Sequence, residues 1–148
     1  MSISLSQCDA IIEATLADAR ARSLPPVGVA VLDAGGHLKA LRAEDGLAFL
    51  RAKVCRAKAW GALALGASSR HFAARYSNDE LQRGFMNALA DGPAESIVPL
   101  PGGVLIRDDA GTLLGAVGVA GAASEDDEAC AVAGIEASGL VPDLGSTR

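Results

Sequence analysis

The sequence predicts an α+β domain in which a mainly antiparallel sheet is flanked by helices. Strand-forming runs lie on either side of glycine-containing turns at Ala34–Gly36 and Asp108–Gly111, which predicts two hairpins. Helix-like segments precede, separate and follow these hairpins, so the helices are expected to cover the sheet. At 148 residues the chain can bury its own core. We expect a single domain over residues 1–148, with a core from about residue 4 to 140 and a loose tail at 141–148.

The first helix and hairpin follow from the residues that bound them. A helix is expected to begin at an N-cap, Ser4 or Ser6, and to run to about Arg22 with apolar side chains at helical spacing. Prolines at positions 25 and 26 end it, because proline lacks the backbone N–H that a helix interior needs. Strands are then predicted over Val27–Asp33 and His37–Ala43.

A second helix is predicted over Phe49–Gly66, and apolar residues occupy its whole circumference. A helix of this kind is usually buried on more than one side. One face is therefore expected to cover the sheet, and the other to meet another helix or another subunit. This pattern predicts a homo-oligomer.

The remaining elements are predicted from the same signals. A polar connection is expected over Ala67–Ser77, followed by a short helix from Asn78 to about Ala90. Ser124 is expected to cap the last helix, because a run of acidic residues follows it and complements the helix dipole. Three strands are predicted in between, at Ser96–Pro99, Gly103–Arg107 and Thr112–Ala120.

Composition argues against several classes of function. The net charge is −5 and no basic stripe is present, so a nucleic-acid partner is not expected. No apolar run approaches the ~20 residues that span a bilayer, and the N-terminus lacks the pattern of a signal peptide, so we expect a cytoplasmic protein without a membrane partner. Cys8, Cys55 and Cys130 are widely spaced and form no metal-ligand motif, so neither a disulfide nor a zinc site is expected.

Four segments point to a family. The first two are VAVLDAGGHLKAL at Val29–Leu41, and Asp45–Gly46 followed by Lys58–Ala59. The others are LPGGV at Leu100–Val104, and GAVGVAG with SEDDEACAVAG at Gly115–Gly121 and Ser124–Gly134. In this order they resemble the GlcG/HbpS-type family of small haem-binding-like proteins, which also appears as the C-terminal domain of PduO-type proteins.

The resemblance implies a profilin-like antiparallel sheet with helices on its faces, and a homo-oligomer. Members of the family are associated with haem or corrinoid binding. The resemblance therefore implies a small-molecule ligand, with haem or another tetrapyrrole as the leading candidate. It brings no agreed catalytic mechanism, so whether the protein is an enzyme is left open.

Lys58 is the first candidate site residue, since it matches the family's helix lysine and lies on a largely apolar helix. It could bind a carboxylate, or act as a base if burial lowers its pKa. Alternatively, it pairs with an acid such as Asp45 or Asp127 in a structural role. Gly102 and Gly103 could bring backbone N–H groups close to an anion, although turn geometry also explains them.

His37 and His71 are the only histidines, and either could be an axial haem ligand or an acid–base group. Both are expected to be solvated, His37 after a turn and His71 in a polar connection. Asp33 could orient a polar ligand, or it could satisfy the backbone amides of its own turn.

Other side chains are weaker candidates. Arg70 and Arg75 form a small basic patch with His71 that could receive the propionates of a haem. Met86 and Cys8 are further possible axial ligands.

Three functions follow from these residues. The first is a binding protein for haem or another tetrapyrrole, with a site lined by Lys58, the Gly102–Gly103 turn and one histidine. The second is a metal-independent enzyme that catalyses an isomerase- or lyase-like proton transfer on a small carboxylate or carbonyl compound of a catabolic or biosynthetic pathway, with Lys58 as base and Asp45 as its partner. The third is an accessory subunit of another enzyme.

Overall fold

The computed structural model describes residues 2–91 and 97–145, over which the chain forms five helices and five strands. The helices are α1 (Leu5–Ala21), α2 (Leu50–Leu65), α3 (Arg70–Asn78), α4 (Glu80–Ala90) and α5 (Ser124–Ala137). The strands are β1 (Gly28–Asp33), β2 (Leu38–Ala43), β3 (Gly103–Arg107), β4 (Leu113–Ala120) and β5 (Val141–Asp143).

The strands form one antiparallel sheet in the order β2-β1-β4-β3-β5. The central strands β1 and β4 pair from Gly28 opposite Ala120 to Asp33 opposite Gly115. The β1–β2 and β3–β4 pairs are the two hairpins that the sequence predicts. The predicted α+β class, an antiparallel sheet flanked by helices, is confirmed.

Helices cover both faces of this sheet, with α1 and α5 on one side and α2 on the other. Consecutive residues of β1 alternate between the two layers. Val29 and Val31 join the core beneath α1 and α5, whereas Leu32 joins the core beneath α2. All three are fully buried, because neither face of the central strands is left in water.

Small residues bring the helices unusually close to their neighbours. A Cβ atom on Gly118 of β4 would lie 1.9 Å from the carbonyl oxygen of Cys55 in α2. On the opposite face, a Cβ atom on Gly134 of α5 would lie 2.0 Å from Oγ1 of Thr15 in α1. Neither position has room for a methyl group, so close packing of these layers depends on glycine there.

Helix α3 occupies most of the segment for which the sequence predicts a polar connection, so that prediction is wrong. Phe72 is the one buried residue of α3, and more than half of this short helix is polar, so the sequence resembles a polar connection. Tertiary contacts hold the start of the helix instead. The Ser68 hydroxyl accepts a hydrogen bond from the backbone N–H of Leu105, and the Ser69 hydroxyl accepts one from Gly103.

Two predictions about strands are also wrong. The tail that was expected to be loose from residue 141 begins with β5, which pairs with β3 at the edge of the sheet. Pro142 argues against a strand at this position, because proline cannot donate a hydrogen bond to a neighbouring strand. It is nevertheless compatible with an edge strand such as β5. Residues 97–99 of the predicted strand Ser96–Pro99 are not in the sheet, where β4 and β5 occupy the two sides of β3. Ser96 and residues 146–148 lie outside the described residues.

The N-cap residue is the predicted one in α1 but a different one in α5. Ser4 caps α1 as predicted, in a reciprocal capping box with Gln7. At α5 the N-cap position belongs to Ala123 rather than Ser124, and it makes no side-chain cap. The carboxylate of Asp127 instead accepts a hydrogen bond from the backbone N–H of Ala122 at 3.0 Å.

The structure bears on two expectations, those about cysteine pairing and about membrane-spanning segments. Cys8, Cys55 and Cys130 are buried free thiols. Among the helices of residues 2–91 and 97–145, none has both the length and the apolarity needed to cross a membrane.

Candidate functional site

Lys58 lies in the interior and is held there by two hydrogen bonds. Its side chain is 2% exposed, and its Nζ atom donates to the carbonyl oxygen of Val119 at 3.0 Å and to Oδ2 of Asp127 at 3.1 Å. Burial lowers the pKa of Lys58, and the neighbouring Asp127 carboxylate opposes that shift. Burial likewise raises the pKa of Asp127, against the attraction of Lys58. The result is a buried ion pair that joins α2, β4 and α5.

The Gly102–Gly103 turn lies against this lysine, so the structure brings these predicted site residues together. Gly102 has a φ of +128°, and a Cβ atom there would lie 2.9 Å from Nζ of Lys58. A Cβ atom on Gly103 would lie 2.2 Å from the carbonyl oxygen of Lys58. The glycines therefore make room for the lysine itself, and the contact leaves no open space for a ligand between them.

Asp45 does not reach Lys58, whose partner is the other predicted acid, Asp127. Asp45 is exposed in the loop after β2, where it helps to line a shallow surface groove of about 410 Å³. Arg20 and Glu44 also line the groove and pair with each other at 2.9 Å. The Glu44 carboxylate also accepts a hydrogen bond from the backbone N–H of Val27, so it is largely engaged in contacts within the protein.

Asp33 and His37 form a second cluster, at the tip of the β1–β2 hairpin. Oδ1 of Asp33 accepts backbone N–H groups of Gly35 and His37, each at 3.0 Å, and lies 3.1 Å from Nδ1 of His37. Burial acts to raise the pKa of Asp33, but the hydrogen bonds that its carboxylate accepts from His37 and Gly35 outweigh burial and hold the pKa below its usual value. The His37 side chain is 81% exposed, as predicted for a residue after a turn.

Trp60 lies beside this hairpin tip and was not singled out in the sequence. Its indole Nε1 is 3.7 Å from the place that a Cβ atom of Gly36 would occupy. The residue is half-buried on α2 and packs against the apolar cluster that includes Leu32 and Ala62. It is the chain's only tryptophan, which is the one feature that could have drawn attention to it.

His71 is far less solvated than the sequence predicts, because it belongs to α3 rather than to a loop. Its side chain is half-buried, and Nε2 lies 2.5 Å from the carbonyl oxygen of Leu144, just after β5. Asp143 of β5 pairs with Arg107 at 2.7 Å, so the segment that receives His71 is itself held to β3. His71 therefore helps to hold the C-terminal strand in place.

The predicted basic patch around His71 is partly neutralised. Nε of Arg70 lies 3.6 Å from Oε2 of Glu128, and its Nη2 lies 3.9 Å from Oε2 of Glu125. Burial raises the pKa of Glu128, against the attraction of Arg70. The acids at the start of α5 thus face the start of α3, a contact between segments far apart in the sequence. Arg75 lies near the other end of α3.

Two weaker axial candidates, Met86 and Cys8, are buried. Met86 is 3% exposed and Cys8 is fully buried, so neither side chain faces an open surface. Within the part of the chain that the structure describes, no group of three or more His, Cys, Asp or Glu side chains is placed to hold a metal ion.

Comparison with known proteins gives a family and a fold. The family model described as haem degrading protein HbpS-like matches residues 3–136. No curated protein matches the sequence significantly. The haem complex of PduOC has a similar structure, with a TM-score of 0.83 and 21% identity over 95% of this chain and 97% of that one.

Two further solved structures are similar. HbpS of Streptomyces reticuli, in a double-mutant form, gives a TM-score of 0.76 and 25% identity over 92% of this chain and 86% of that one. The ORFY protein of Klebsiella pneumoniae gives a TM-score of 0.82 and 20% identity over 92% and 90% of the two chains.

Proposed function

The chain belongs to the HbpS-like family, and on that premise we propose that it binds haem or another tetrapyrrole. The observation that carries the proposal is the pair at the hairpin tip, where a carboxylate holds an exposed histidine. A proximal histidine holds the haem iron in globins and peroxidases. The similarity to a PduOC structure that contains haem adds support for a fold able to present such a ligand.

The residues at the hairpin tip fit a haem in two respects. His37 has one ring nitrogen beside the Asp33 carboxylate, an arrangement that metal-ligating histidines commonly share. Trp60 places an aromatic ring next to Gly36, and a flat apolar ligand could pack on such a ring. His71 offers a second imidazole elsewhere on the surface, with Nε2 already engaged by Leu144.

The proposal is tested by titrating the purified protein with haemin and recording both absorbance and fluorescence. We expect a saturable Soret shift at a fixed stoichiometry, together with quenching of the single tryptophan, Trp60, because a bound haem accepts its excitation energy. The matched control is a His37→Ala/His71→Ala double variant, which lacks both imidazoles. A weak shift that never saturates, and that is the same in the control, would contradict haem binding through a histidine.

Among residues 2–91 and 97–145, no specific arrangement favours the alternative of a metal-independent proton-transfer enzyme. Its proposed base, Lys58, is enclosed beside Asp127, and its proposed partner, Asp45, is exposed in a different loop. A base needs to come within hydrogen-bond reach of a substrate proton. Binding of a tetrapyrrole is therefore the function that the geometry supports better.

We further propose that the protein is a cytoplasmic homo-oligomer. Phe49 is 91% exposed and Leu50 is 60% exposed at the start of α2, the helix for which the sequence predicts a second buried side. Adjacent apolar side chains on a surface favour association. Light scattering during size-exclusion chromatography is expected to give a mass that is a multiple of 14.9 kDa. A Phe49→Ser/Leu50→Ser variant is expected to shift toward the monomer mass, whereas a monomeric parent protein would contradict the proposal.

A further inference from the structure

We infer that His37 is the axial ligand of the haem, through Nε2, and that Asp33 is the residue that positions it. This inference rests on the proposed function and adds to it the choice between two histidines. The two histidines differ in which ring nitrogen is already engaged in a hydrogen bond.

In His37 the engaged nitrogen is Nδ1. It lies 3.1 Å from Oδ1 and 3.3 Å from Oδ2 of Asp33, so Nδ1–H donates to the carboxylate in the tautomer that this contact favours. Nε2 then carries the lone pair, and among the described residues it has no hydrogen-bond partner. Nε2 is also the ring nitrogen farther from the backbone, so a bulky porphyrin can approach it without meeting the hairpin.

In His71 the situation is reversed. Nε2 lies 2.5 Å from the carbonyl oxygen of Leu144, and a carbonyl oxygen can only accept, so Nε2 carries the proton. The lone pair is then on Nδ1, next to the carbon that joins the ring to its own helix. A porphyrin brought to that nitrogen would meet the backbone of α3. His71 can become a haem ligand only by releasing the segment after β5.

Asp33 is fixed before any ligand arrives. Its Oδ1 accepts two backbone N–H groups of the turn, from Gly35 and His37, so the carboxylate is rigid when it meets the imidazole. A carboxylate that accepts the second N–H of a ligating histidine orients the ring and makes it a stronger donor to the metal. The turn therefore supplies both the geometry and the electron donation of a built ligand.

The test compares the parent protein with Asp33→Asn, His37→Ala and His71→Ala. Asparagine keeps one acceptor oxygen for the turn amides, but it removes the charge and replaces the second carboxylate oxygen by an NH2 group. The first measurement needs no haem: long-range 15N NMR of the His37 ring is expected to show the Nδ1–H tautomer. The second is the iron–histidine stretching band of the ferrous haem complex by resonance Raman spectroscopy, with haemin affinity measured on the same samples.

We expect the iron–histidine band in the parent protein and in His71→Ala, and its loss in His37→Ala. In Asp33→Asn we expect the band at lower frequency and an affinity about 10–100-fold weaker, the usual effect of removing such a partner. The amide shifts of Gly35 and His37 should stay unchanged in this variant, which would show that the turn is intact. If Asp33 only stabilises the turn, the iron–histidine band should then stay where it is in the parent protein.

Three results would overturn the inference. They are an Nε2–H tautomer at His37, an iron–histidine band that survives His37→Ala, and an Asp33→Asn complex with unchanged band and affinity. If the parent protein binds haemin but the band is lost in His71→Ala, the proposed function stands and the assignment of the ligand is wrong. If the parent protein fails to bind haemin at all, both are wrong.

Discussion

Replacing Lys58 by methionine should destabilise the protein strongly, because it leaves the Asp127 carboxylate in the interior without a counter-charge. Both side chains are 2% exposed, so water cannot compensate for the lost ammonium group. Removing one partner of a buried ion pair costs about 3–5 kcal/mol. For 148 residues, an unfolding entropy of about 2.1 cal/mol/K per residue converts this loss to a fall in Tm of about 10–16 °C.

Chemical and thermal denaturation, followed by circular dichroism, give the free energy of unfolding and Tm. Lys53→Met is the matched control, since Lys53 is exposed five residues earlier on the same helix and its loss should change stability by less than about 0.5 kcal/mol. The double variant Lys58→Met/Asp127→Asn should recover much of the loss, because asparagine keeps an acceptor for the N–H of Ala122 without a buried charge.

The pH dependence of the Lys58→Met variant gives a second check. Burial already raises the pKa of Asp127 in the folded protein, and removing Lys58 raises it further. A group with a raised folded pKa adds stability below its unfolded pKa and loses that stability as pH rises through the folded value. The deficit of Lys58→Met should therefore be smallest in acid and largest above the raised pKa. A deficit below 1 kcal/mol at neutral pH, or one that grows in acid, would refute this reasoning.

Three further predictions concern packing, thiols and the C-terminal strand. Gly118→Ala should destabilise by about 1–3 kcal/mol or more, whereas Gly84→Ala should be neutral or stabilising because its Cβ atom would meet nothing within 4 Å; urea denaturation measures both. Burial raises the pKa of the Cys55 thiol to about 11 and that of Cys130 to about 12, so an aromatic disulfide reagent should label neither until the protein is unfolded. The hydrogen bond that Arg107 donates to Asp143 holds the pKa of this carboxyl group below its usual value. The ionised Asp143 carboxylate therefore stabilises the protein above its unfolded pKa, and this stability is lost as pH falls through its folded pKa. In Asp143→Asn this contribution, under about 1 kcal/mol, should be absent, so Tm measured over a series of acidic pH values should fall less steeply than in the parent protein.

The two hairpins of the sheet could be predicted from the sequence because turn residues and strand-forming runs are local patterns. Turn glycines at Ala34–Gly36 and Asp108–Gly111 and the runs beside them are enough to predict both hairpins. Helix α3 and strand β5 lack such patterns. Contacts from residues far along the chain hold each of them in place, so no window of local sequence could reveal them.

The candidate site was harder to predict, because three of the family-like segments converge on a structural feature. Lys58, Gly102 and Gly103, Val119 and Asp127 come from different segments and meet at one buried ion pair. Packing therefore accounts for these residues in this protein without any ligand. The remaining segment, VAVLDAGGHLKAL, contains Asp33 and His37, the pair with an exposed side chain. A family-like motif indicated important positions, but only the fold separated the buried from the accessible ones.

The most direct test of the account is to map the haem on the protein by NMR. Ferric haem is paramagnetic and broadens the signals of nearby nuclei, and gallium protoporphyrin serves as the diamagnetic control. We predict that haemin selectively broadens the amides of residues 33–38 and the indole signal of Trp60, and that the control shifts these signals without broadening them. Broadening centred on His71 and β5, or spread over no defined surface, would contradict a haem site at the tip of the β1–β2 hairpin.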